Sequence, residues 1–325
     1  MAARRSDRFL CALKNCARVT FVTHVHADPD ALASMMGLAF LVEEKLGIPT
    51  RLTRDGPISR AENRAMVDLL DIDLVAIEDV EWGDDEAVVM VDSQPNTGRH
   101  NLPGAPPVTA VVDHHDTPGD LEGIPFVDVR DSLGATCSLV VSYLREQGLA
   151  PTERLATGMM YGIETELAGY PREAGPADEA ALIHIYPLAD RDMLARIRNA
   201  RLPQNYFGGL LQALQNAFIY DRLIISWVDD LPQPELAAEI VDTLIRFEEV
   251  DWAVCAGVHG RNLILSLRAA RWWAGWAAPV ATTGARAATS RCPTTPPRPS
   301  RPPGANCAAA CSRRCTSRRR AAKGW

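Results

Sequence analysis

Several features that would mark a membrane, secreted or zinc-dependent protein are missing from this sequence. No apolar run approaches the roughly 18 residues that a membrane-spanning helix needs. The first 22 residues contain neither the uninterrupted apolar segment nor the cleavage site of a signal peptide. None of the eight cysteines forms a CxxC pair, and the four after residue 290 do not match zinc-ribbon spacing. We therefore expect a cytoplasmic protein with free thiols and no membrane partner.

Acidic residues are absent from the last part of the chain. All 41 Asp and Glu residues lie before residue 269, whereas the segment from 269 onward holds ten Arg and one Lys. The net charge of −7 is therefore the sum of −18 for residues 1–268 and +11 for the tail, residues 269–325. The tail is rich in Ala, Pro and Thr without periodicity, which predicts disorder and makes nucleic-acid binding its less favoured interpretation.

What the chain does contain is an alternation of strand-like and helix-like runs. Its 325 residues, with 47% hydrophobic content, can form two ordinary domains. Between residues 17 and 186, strand-like runs such as EAVVMVD and PVTAVVDHH alternate with helix-like runs such as DALASMMGLAFLVEEKLG. This alternation predicts an α/β domain in which helices flank a parallel sheet.

The rest of the chain predicts a second, smaller α/β domain. Helix-like runs interrupted by Pro187 and Pro203 are expected to connect it to the first domain. Strand, helix and strand patterns then return, and the domain they predict is incomplete. The predicted division is 1–186 for the first domain, 187–214 for a helical connector, 215–269 for the partial second domain and 270–325 for the tail.

Four clusters of polar residues follow predicted elements of the first domain. They are His24, His26, Asp28 and Asp30; Asp92; Asp113, His114 and His115; and Glu164 with Glu166. Because the carboxyl ends of parallel strands share one edge of a sheet, we expect these side chains to converge. Imidazoles and carboxylates without cysteine favour Mn²⁺, Mg²⁺ or Fe²⁺ over structural zinc. Six or seven such donors can hold two cations about 3.5 to 4 Å apart, the usual arrangement for phosphate ester hydrolysis.

Each cluster also has an ordinary structural interpretation. Asp28 or Asp30 can cap a helix, and Asp92 can simply end a strand. The two histidines can form a surface pair, and Glu166 can be a solvated helix residue. The repeated placement at element ends favours one shared site over four coincidences.

The same residues resemble the motifs of the DHH phosphoesterase family, whose name Asp113, His114 and His115 spell. The first family motif reads roughly H-x-N-P-D-x-D-A-(L/I)-x-S, and this chain has HVHADPDALAS from His24 to Ser34. Histidine and alanine replace the usual Asn and Pro, which leaves the metal-binding positions in place. The resemblance is strong over residues 1–190 and weak over 215–268.

The resemblance implies a role for each of these side chains. His24 and Asp28 would bind one metal ion, Asp30 and His114 the other, and Asp92 would bridge the two. His115 would face the substrate phosphate or the leaving group, so Asp92 and His115 are the expected catalytic residues. Asp113 would orient a histidine. The cofactor implied is a pair of divalent ions, with Mn²⁺ favoured over Mg²⁺ or Fe²⁺.

Two later motifs depart from the family pattern or match it loosely. The family commonly has G-I-x-T-D-T, whereas this chain reads GIETEL from Gly162, and we expect Glu166 rather than Glu164 to be the ligand. In the family's second domain, an arginine in an S-x-R-S-like strand grips a phosphate. The match to SLRA makes Arg268 the expected substrate-binding residue, with an exposed strand-end arginine as the equally weighted alternative.

A glycine-rich G-G-G-H-like loop, which the family would place after this strand, is missing. If the codons for Trp272 to Gly284 are read in a frame that starts two nucleotides later, the sequence VGGLGSAGGHD is possible. Its first, second and fifth residues are fixed, whichever base stands at the third position of each original codon. We therefore hypothesise that residues from about 270 onward are a frameshifted translation of an ordinary C-terminal domain. Sequencing the gene would disprove this if no other frame can encode GGHD.

The activity implied by the resemblance is metal-dependent hydrolysis of phosphodiester or phosphomonoester bonds. Nucleotides or short oligonucleotides are the expected substrates, as in the oligoribonuclease and nucleotide 3′-phosphatase type. Cyclic dinucleotide phosphodiesterase, single-strand exonuclease and inorganic pyrophosphatase are alternatives within the family. A non-catalytic nucleotide-binding or regulatory module of the same fold is the alternative from another class, and a homodimer is a further option.

Overall fold

A computed structural model describes residues 4–116, 119–168 and 174–270. The chain divides into two compact units, with the boundary between Arg201 and Leu202. This boundary lies inside the predicted connector, whose helices each belong to one of the two units. The predicted disorder of the tail and its proposed frameshift concern residues outside the described part, because the description ends at residue 270.

The first unit combines a sheet with helices. Its strands are β1 (Arg18–Val22), β2 (Thr50–Arg54), β3 (Leu74–Ala76), β4 (Glu86–Val91), β5 (Val108–Asp113) and β6 (Phe126–Val129). Its helices are α1 (Arg5–Leu13), α2 (Pro29–Leu46), α3 (Ala61–Leu70), α4 (Thr136–Glu146), α5 (Glu153–Ala168), α6 (Pro176–Ile185) and α7 (Arg191–Arg198). Short 3₁₀ turns cover Ile77–Asp79 and Tyr186–Leu188.

The six strands form one parallel sheet in the order β3-β2-β1-β4-β5-β6. Central strand β4 is buried along its whole length. Val89 and Val91 enter the main core, while Val88 and Met90 enter a second cluster on the opposite face. A strand covered on both faces must be apolar at successive positions, which explains the run AVVMV. The predicted α/β fold with a parallel sheet is confirmed.

Helix α2 follows β1 and fixes the position of the first polar cluster. The Asp28 side chain accepts a hydrogen bond from the Ala31 N–H at 3.0 Å, Pro29 occupies the first helical position, and Gly47 ends the helix with φ of 65°. Helix α5 approaches this helix closely because Gly162 has no side chain. A Cβ there would lie 2.9 Å from the Pro29 carbonyl oxygen.

The second unit has a smaller mixed sheet. Its elements are α8 (Gln204–Gln215), β7 (Phe218–Tyr220), β8 (Leu223–Val228), α9 (Leu236–Leu244), β9 (Trp252–His259) and β10 (Asn262–Ala269). The sheet order is β10-β9-β8-β7, with β8 and β9 parallel and the other two pairs antiparallel. One face of this sheet packs against α9 and α8, and Ile224, Ala253 and Ile240 contribute to the core there. Among the described residues, no helix combines the length and the hydropathy required to cross a bilayer.

Candidate metal centre

The predicted site residues lie where the strand order of the parallel sheet changes direction. His24 follows β1 and Asp92 follows β4, and these two strands are neighbours although they are far apart in the chain. Asp113 ends β5, the next strand along, and His114 and His115 follow it. Chain connections leave β1 and β4 in opposite directions along the sheet, which opens a crevice at their carboxyl ends. The fold therefore brings the clusters together at the place where α/β sheets bind ligands.

Asp92 lies at the middle of this cluster, and its two oxygens face different histidines. Its Oδ2 is 3.4 Å from His24 Nε2, and its Oδ1 is 3.5 Å from His114 Nε2. The backbone of Asp92 is left-handed, with φ of 56°. This conformation costs about 1 kcal/mol for a residue other than glycine, and such local strain is common at functional sites.

Two groups of side chains could each hold a cation. His24, Asp28 and Asp92 form one group, and Asp92, His114 and His115 form the other; within each, the potential ligand atoms all lie within 4.8 Å of one another. Asp28 completes the first group with its Oδ2 at 3.5 Å from His24 Nε2. Asp92 is the member common to both groups, as a carboxylate that bridges two ions would be.

The orientation of the two imidazoles fits cation binding. His24 Nδ1 lies 3.0 Å from the Val25 carbonyl oxygen, and His114 Nδ1 lies 3.2 Å from that of Leu133. A proton on each Nδ1 satisfies these carbonyls and leaves Nε2 as the free lone pair, as in metal-binding histidines. Both Nε2 atoms are buried and have no hydrogen-bond partner among the described residues. Two orphaned ring nitrogens directed at one carboxylate are the chemistry that a pair of divalent ions would satisfy.

His115 has different partners from its neighbour. Its Nδ1 lies 2.8 Å from Asp113 Oδ1, and the other oxygen of Asp113 accepts a 2.7 Å hydrogen bond from Gln94 Nε2. Gln94 Nε2 also donates to the His115 carbonyl oxygen at 3.0 Å. Asp113 thus holds the ring of His115 with one proton on Nδ1, and the histidine that it orients is His115 rather than His114. Gln94 was not predicted, and its only sequence signal is its position two residues beyond Asp92.

Asp30 is buried at the site, but its oxygens are occupied by another helix. Oδ2 accepts from the Thr136 N–H and Oδ1 from the Cys137 N–H, both at 2.8 Å. The carboxylate therefore caps the first turn of α4, and it is absent from both groups of clustered ligand atoms. Oδ1 also accepts from the Ser34 hydroxyl at 3.5 Å, whereas Oδ2 retains a second lone pair, so a metal role for Asp30 stays a prediction. Thr136, which also donates its hydroxyl to Asp92 Oδ1 at 2.8 Å, has no motif that could have identified it.

Helix α5 brings one of its two candidate glutamates to the site. Glu166 Oε1 lies 4.0 Å from His114 Nε2, whereas Glu164 pairs with Arg198 of α7. Position therefore favours Glu166 over Glu164, and the role of Glu166 as a ligand stays a prediction. Arg268 lies on β10 of the second unit, where its Nε is 2.7 Å from Asp242 Oδ1. Its proposed phosphate contact would have to compete with this ion pair.

The charges of the site shift the pKa values of its histidines upward. Burial alone lowers the pKa of His114, but the carboxylates of Asp92, Asp30 and Glu166 outweigh it and raise that pKa to about 9. The pKa of His24 rises well above 6.5 because its contacts with Asp28 and Asp92 outweigh its burial. The pKa of His115 is also raised, since its hydrogen bond to Asp113 outweighs burial. In the metal-free protein, these rings therefore carry protons that cations would have to displace.

The pKa values of the carboxyl groups shift in opposite directions, depending on whether a histidine or another acid lies beside them. Burial acts to raise the pKa of Asp28 and of Asp113, but His24 and His115 respectively outweigh it and lower both values. Burial, assisted by the charges of Asp28 and Asp92, raises the pKa of Glu166 to about 7. Burial and the charge of Asp92 raise the pKa of Asp30 well above its usual range. Raised pKa values among crowded, buried acids are typical of functional sites.

A family comparison agrees with the position of the site. Residues 18–163 match the model described as the DHH family, N-terminal domain. This part of the chain is a DHH-family domain. The matched residues include every predicted site residue except Glu166 and Arg268. Glu166 lies three residues beyond the end of the match, and Arg268 lies in the second unit. The family inferred from the motifs is confirmed.

Proteins similar to this chain give little functional detail. It is 28% identical over 253 residues to an uncharacterized protein of Methanocaldococcus jannaschii, and the match covers 78% of this chain and 52% of the relative. The chain thus spans about half the length of that curated relative. An exopolyphosphatase-related protein from Bacteroides fragilis has the same fold, with a TM-score of 0.66 and 14% identity over 82% of this chain and 83% of that one. A putative family II inorganic pyrophosphatase from Methanococcus jannaschii shares 14% identity over 76% and 87% of the two chains, with a TM-score of 0.49.

Proposed function

We propose that this protein is a hydrolase of phosphate esters or phosphoanhydrides that depends on two divalent cations. The observation that carries the proposal is the placement of Asp92 between the buried Nε2 atoms of His24 and His114, neither of which has a hydrogen-bond partner among the described residues. When bound, two such ions would activate water and offset the negative charge of a phosphoryl group. Asp28 and Glu166 would complete the ligand set from α2 and α5.

His115 is proposed as the acid of the reaction. Asp113 accepts a hydrogen bond from the Nδ1–H and raises the pKa of the ring, so Nε2 carries a second proton below that pKa. An imidazolium held in this way can stabilise a negative phosphoryl oxygen or donate its proton to a leaving alkoxide. Gln94 supports this role by holding the carboxylate of Asp113 from the opposite side.

Nucleotides and short oligonucleotides are the proposed substrates, by resemblance to the family. The Bacteroides fragilis protein of the same fold is named as exopolyphosphatase-related, which adds phosphoanhydrides to the compounds to be tested. A substrate screen should therefore include short RNAs, 3′-phosphorylated nucleotides, cyclic dinucleotides and pyrophosphate. Mn²⁺ is the first cation to add back to metal-stripped protein, followed by Mg²⁺ and Fe²⁺.

A matched pair of substitutions tests the metal centre. Asp92→Asn removes the shared charge but keeps the shape, and Asn tolerates the left-handed backbone. Asp71→Asn is the control, because Asp71 is also left-handed, with φ of 57°, but lies at the end of α3. We expect two cations per chain and Mn²⁺-dependent hydrolysis in the wild type and in Asp71→Asn. Asp92→Asn should bind one cation or none and lose hydrolysis.

Two results would contradict this proposal in different ways. Full hydrolysis by Asp92→Asn would show that Asp92 is not the shared ligand. Nucleotide binding without hydrolysis, with one cation or none in the wild type, would favour the non-catalytic module instead. The substitution of Glu166 for the family's usual Asp is the observation that keeps this second candidate in view.

A further inference from the structure

Asp178 is a buried acidic residue with no part in the ligand set or the acid chemistry described above. It lies in the first turn of α6 and is completely shielded from solvent. Its Oδ2 accepts two hydrogen bonds, from the Gly175 N–H at 2.8 Å and from the Gly134 N–H at 2.9 Å. Its Oδ1 is buried and has no hydrogen-bond partner among the described residues. Because a carboxylate is costly to bury, both of its contacts call for a physical reason.

Only the first of these contacts is an ordinary helix cap. Gly175 precedes α6, and an acidic side chain in the first turn that accepts from this N–H caps the helix. Asp190 likewise caps α7, where its Oδ1 accepts from the Asp192 and Met193 N–H groups. The contact with Gly134 is different, because it joins α6 to a loop that lies 44 residues earlier in the chain. Capping of α6 does not require it.

The N–H of Gly134 belongs to the same peptide unit as the carbonyl of Leu133. His114 Nδ1 lies 3.2 Å from that carbonyl oxygen, which can only accept a hydrogen bond. The described residues contain no cis peptide bond, and in a trans peptide the C=O and N–H point in opposite directions. One planar, rigid group therefore connects the carboxylate of Asp178 on one side to the ring of His114 on the other.

The loop that carries this peptide is held from both ends. A Cβ on Gly175 would lie 3.1 Å from the Ser132 carbonyl oxygen, so α6 begins directly against the loop. At the other end, the carboxylate of Asp30 accepts from the N–H groups of Thr136 and Cys137, where the loop enters α4. Between these two contacts, the carboxylate of α6 sets the orientation of the peptide.

We propose that Asp178 is a positioning residue for His114 and acts through this peptide unit; the inference rests on the metal centre proposed above. Metal-binding histidines usually donate their second N–H to an acceptor that fixes the ring, and removal of such an acceptor weakens metal binding. A carboxylate that accepts from the peptide N–H also polarises the peptide, which makes its carbonyl a stronger acceptor for the Nδ1–H. Nε2 is then left directed at Asp92.

The two adjacent histidines thus depend on carboxylates in different ways. His115 donates directly to Asp113, whereas His114 reaches a carboxylate only through a peptide. This difference supplies an internal reference, because a change at Asp178 should alter one ring and leave its neighbour unaffected.

Proton NMR of metal-free protein containing ¹⁵N-labelled histidine tests the inference without relying on cation binding. His114→Gln and His115→Gln identify the two ring signals among the seven histidines. In Asp178→Asn, the oxygen of the carboxamide can still accept from both N–H groups, so the fold is kept while the charge is removed. We expect the His114 Nδ1 proton to move upfield and to exchange severalfold faster with water, and the His115 Nδ1 proton to stay unchanged. Asp178→Ala, which also removes the acceptor, should have a larger effect of the same kind.

Calorimetric titration with Mg²⁺ measures the consequence for the metal centre. Asp178→Asn should weaken cation binding by about tenfold to a hundredfold. Asp190→Asn is the matched control, because Asp190 caps α7 and belongs to neither group of clustered ligand atoms, and it should change neither the NMR signals nor the affinity.

The outcomes separate this inference from the proposed function. An unchanged His114 signal in Asp178→Ala, or no protected Nδ1 proton on His114 in the unmodified protein, would overturn the inference. So would a cation affinity of Asp178→Asn equal to that of the unmodified protein, while the metal centre itself would stand. Absence of cation binding by the unmodified protein would instead remove the metal centre and this inference with it.

Discussion

The affinity of the site for cations should rise steeply between pH 7 and pH 9, and the titration of His114 is one reason. In the metal-free protein, the pKa of His114 is about 9, because the carboxylates of Asp92, Asp30 and Glu166 outweigh its burial. A cation needs the neutral Nε2, so each cation bound through His114 at pH 7 must displace a proton. The raised pKa means that protonated His114 stabilises the metal-free fold below about pH 6.5, and that this stabilisation is lost as the pH rises through 9.

The size of the effect follows from the pKa itself. With a pKa of about 9, roughly one His114 ring in a hundred is neutral at pH 7, and about half are neutral at pH 9. The apparent dissociation constant should therefore fall about fifty-fold over this range, which corresponds to about 2 kcal/mol. The raised pKa of His24 acts in the same direction. Glu166, whose pKa is about 7, adds a further proton only toward the acidic end.

Isothermal titration calorimetry with Mg²⁺ can measure this dependence. Titrations at pH 7, 8 and 9, each in two buffers of different ionisation enthalpy, give both the affinity and the number of protons released. His184→Gln is the control, because His184 lies on α6 and belongs to neither group of clustered ligand atoms. It should leave the pH dependence unchanged. Equal affinities at pH 7 and pH 9, with no proton release, would refute the assignment of His114 as a ligand held by these carboxylates.

Two further predictions concern the packing that positions the site, and urea unfolding measures both. Gly162→Ala places a Cβ 2.9 Å from the Pro29 carbonyl oxygen and should lower the free energy of unfolding by about 1 to 3 kcal/mol. Gly208→Ala, whose Cβ meets nothing within 4 Å on α8, should raise it by up to about 1 kcal/mol, and equal effects would contradict the packing argument. Thr136→Val removes the hydroxyl that donates to Asp92 and should cost about 1.5 to 3 kcal/mol in metal-free protein. An unchanged unfolding free energy would show that this hydrogen bond does not hold the carboxylate.

Sequence alone was sufficient for the architecture of the first unit because its signals are local. The runs that became β1, β4 and β5 are apolar and end in polar residues, and α2 has its cap at Asp28 and its terminating glycine at Gly47. The carboxyl ends of parallel strands necessarily share an edge, so the convergence of His24, Asp92 and His114 could be anticipated. The family motifs then assigned these residues to metal binding, an assignment that stays a prediction for each side chain.

Only the tertiary structure decided how these side chains face one another. Strand order depends on packing between distant segments, and it is the pairing of β1 with β4 that places Asp92 between His24 and His114. Thr136 and Gln94 carry no local signal, because their partners lie 44 and 19 residues away. The boundary between Arg201 and Leu202 likewise depends on which surfaces are buried. Local periodicity specifies that a face is apolar, but only the packed chain determines whether anything covers it.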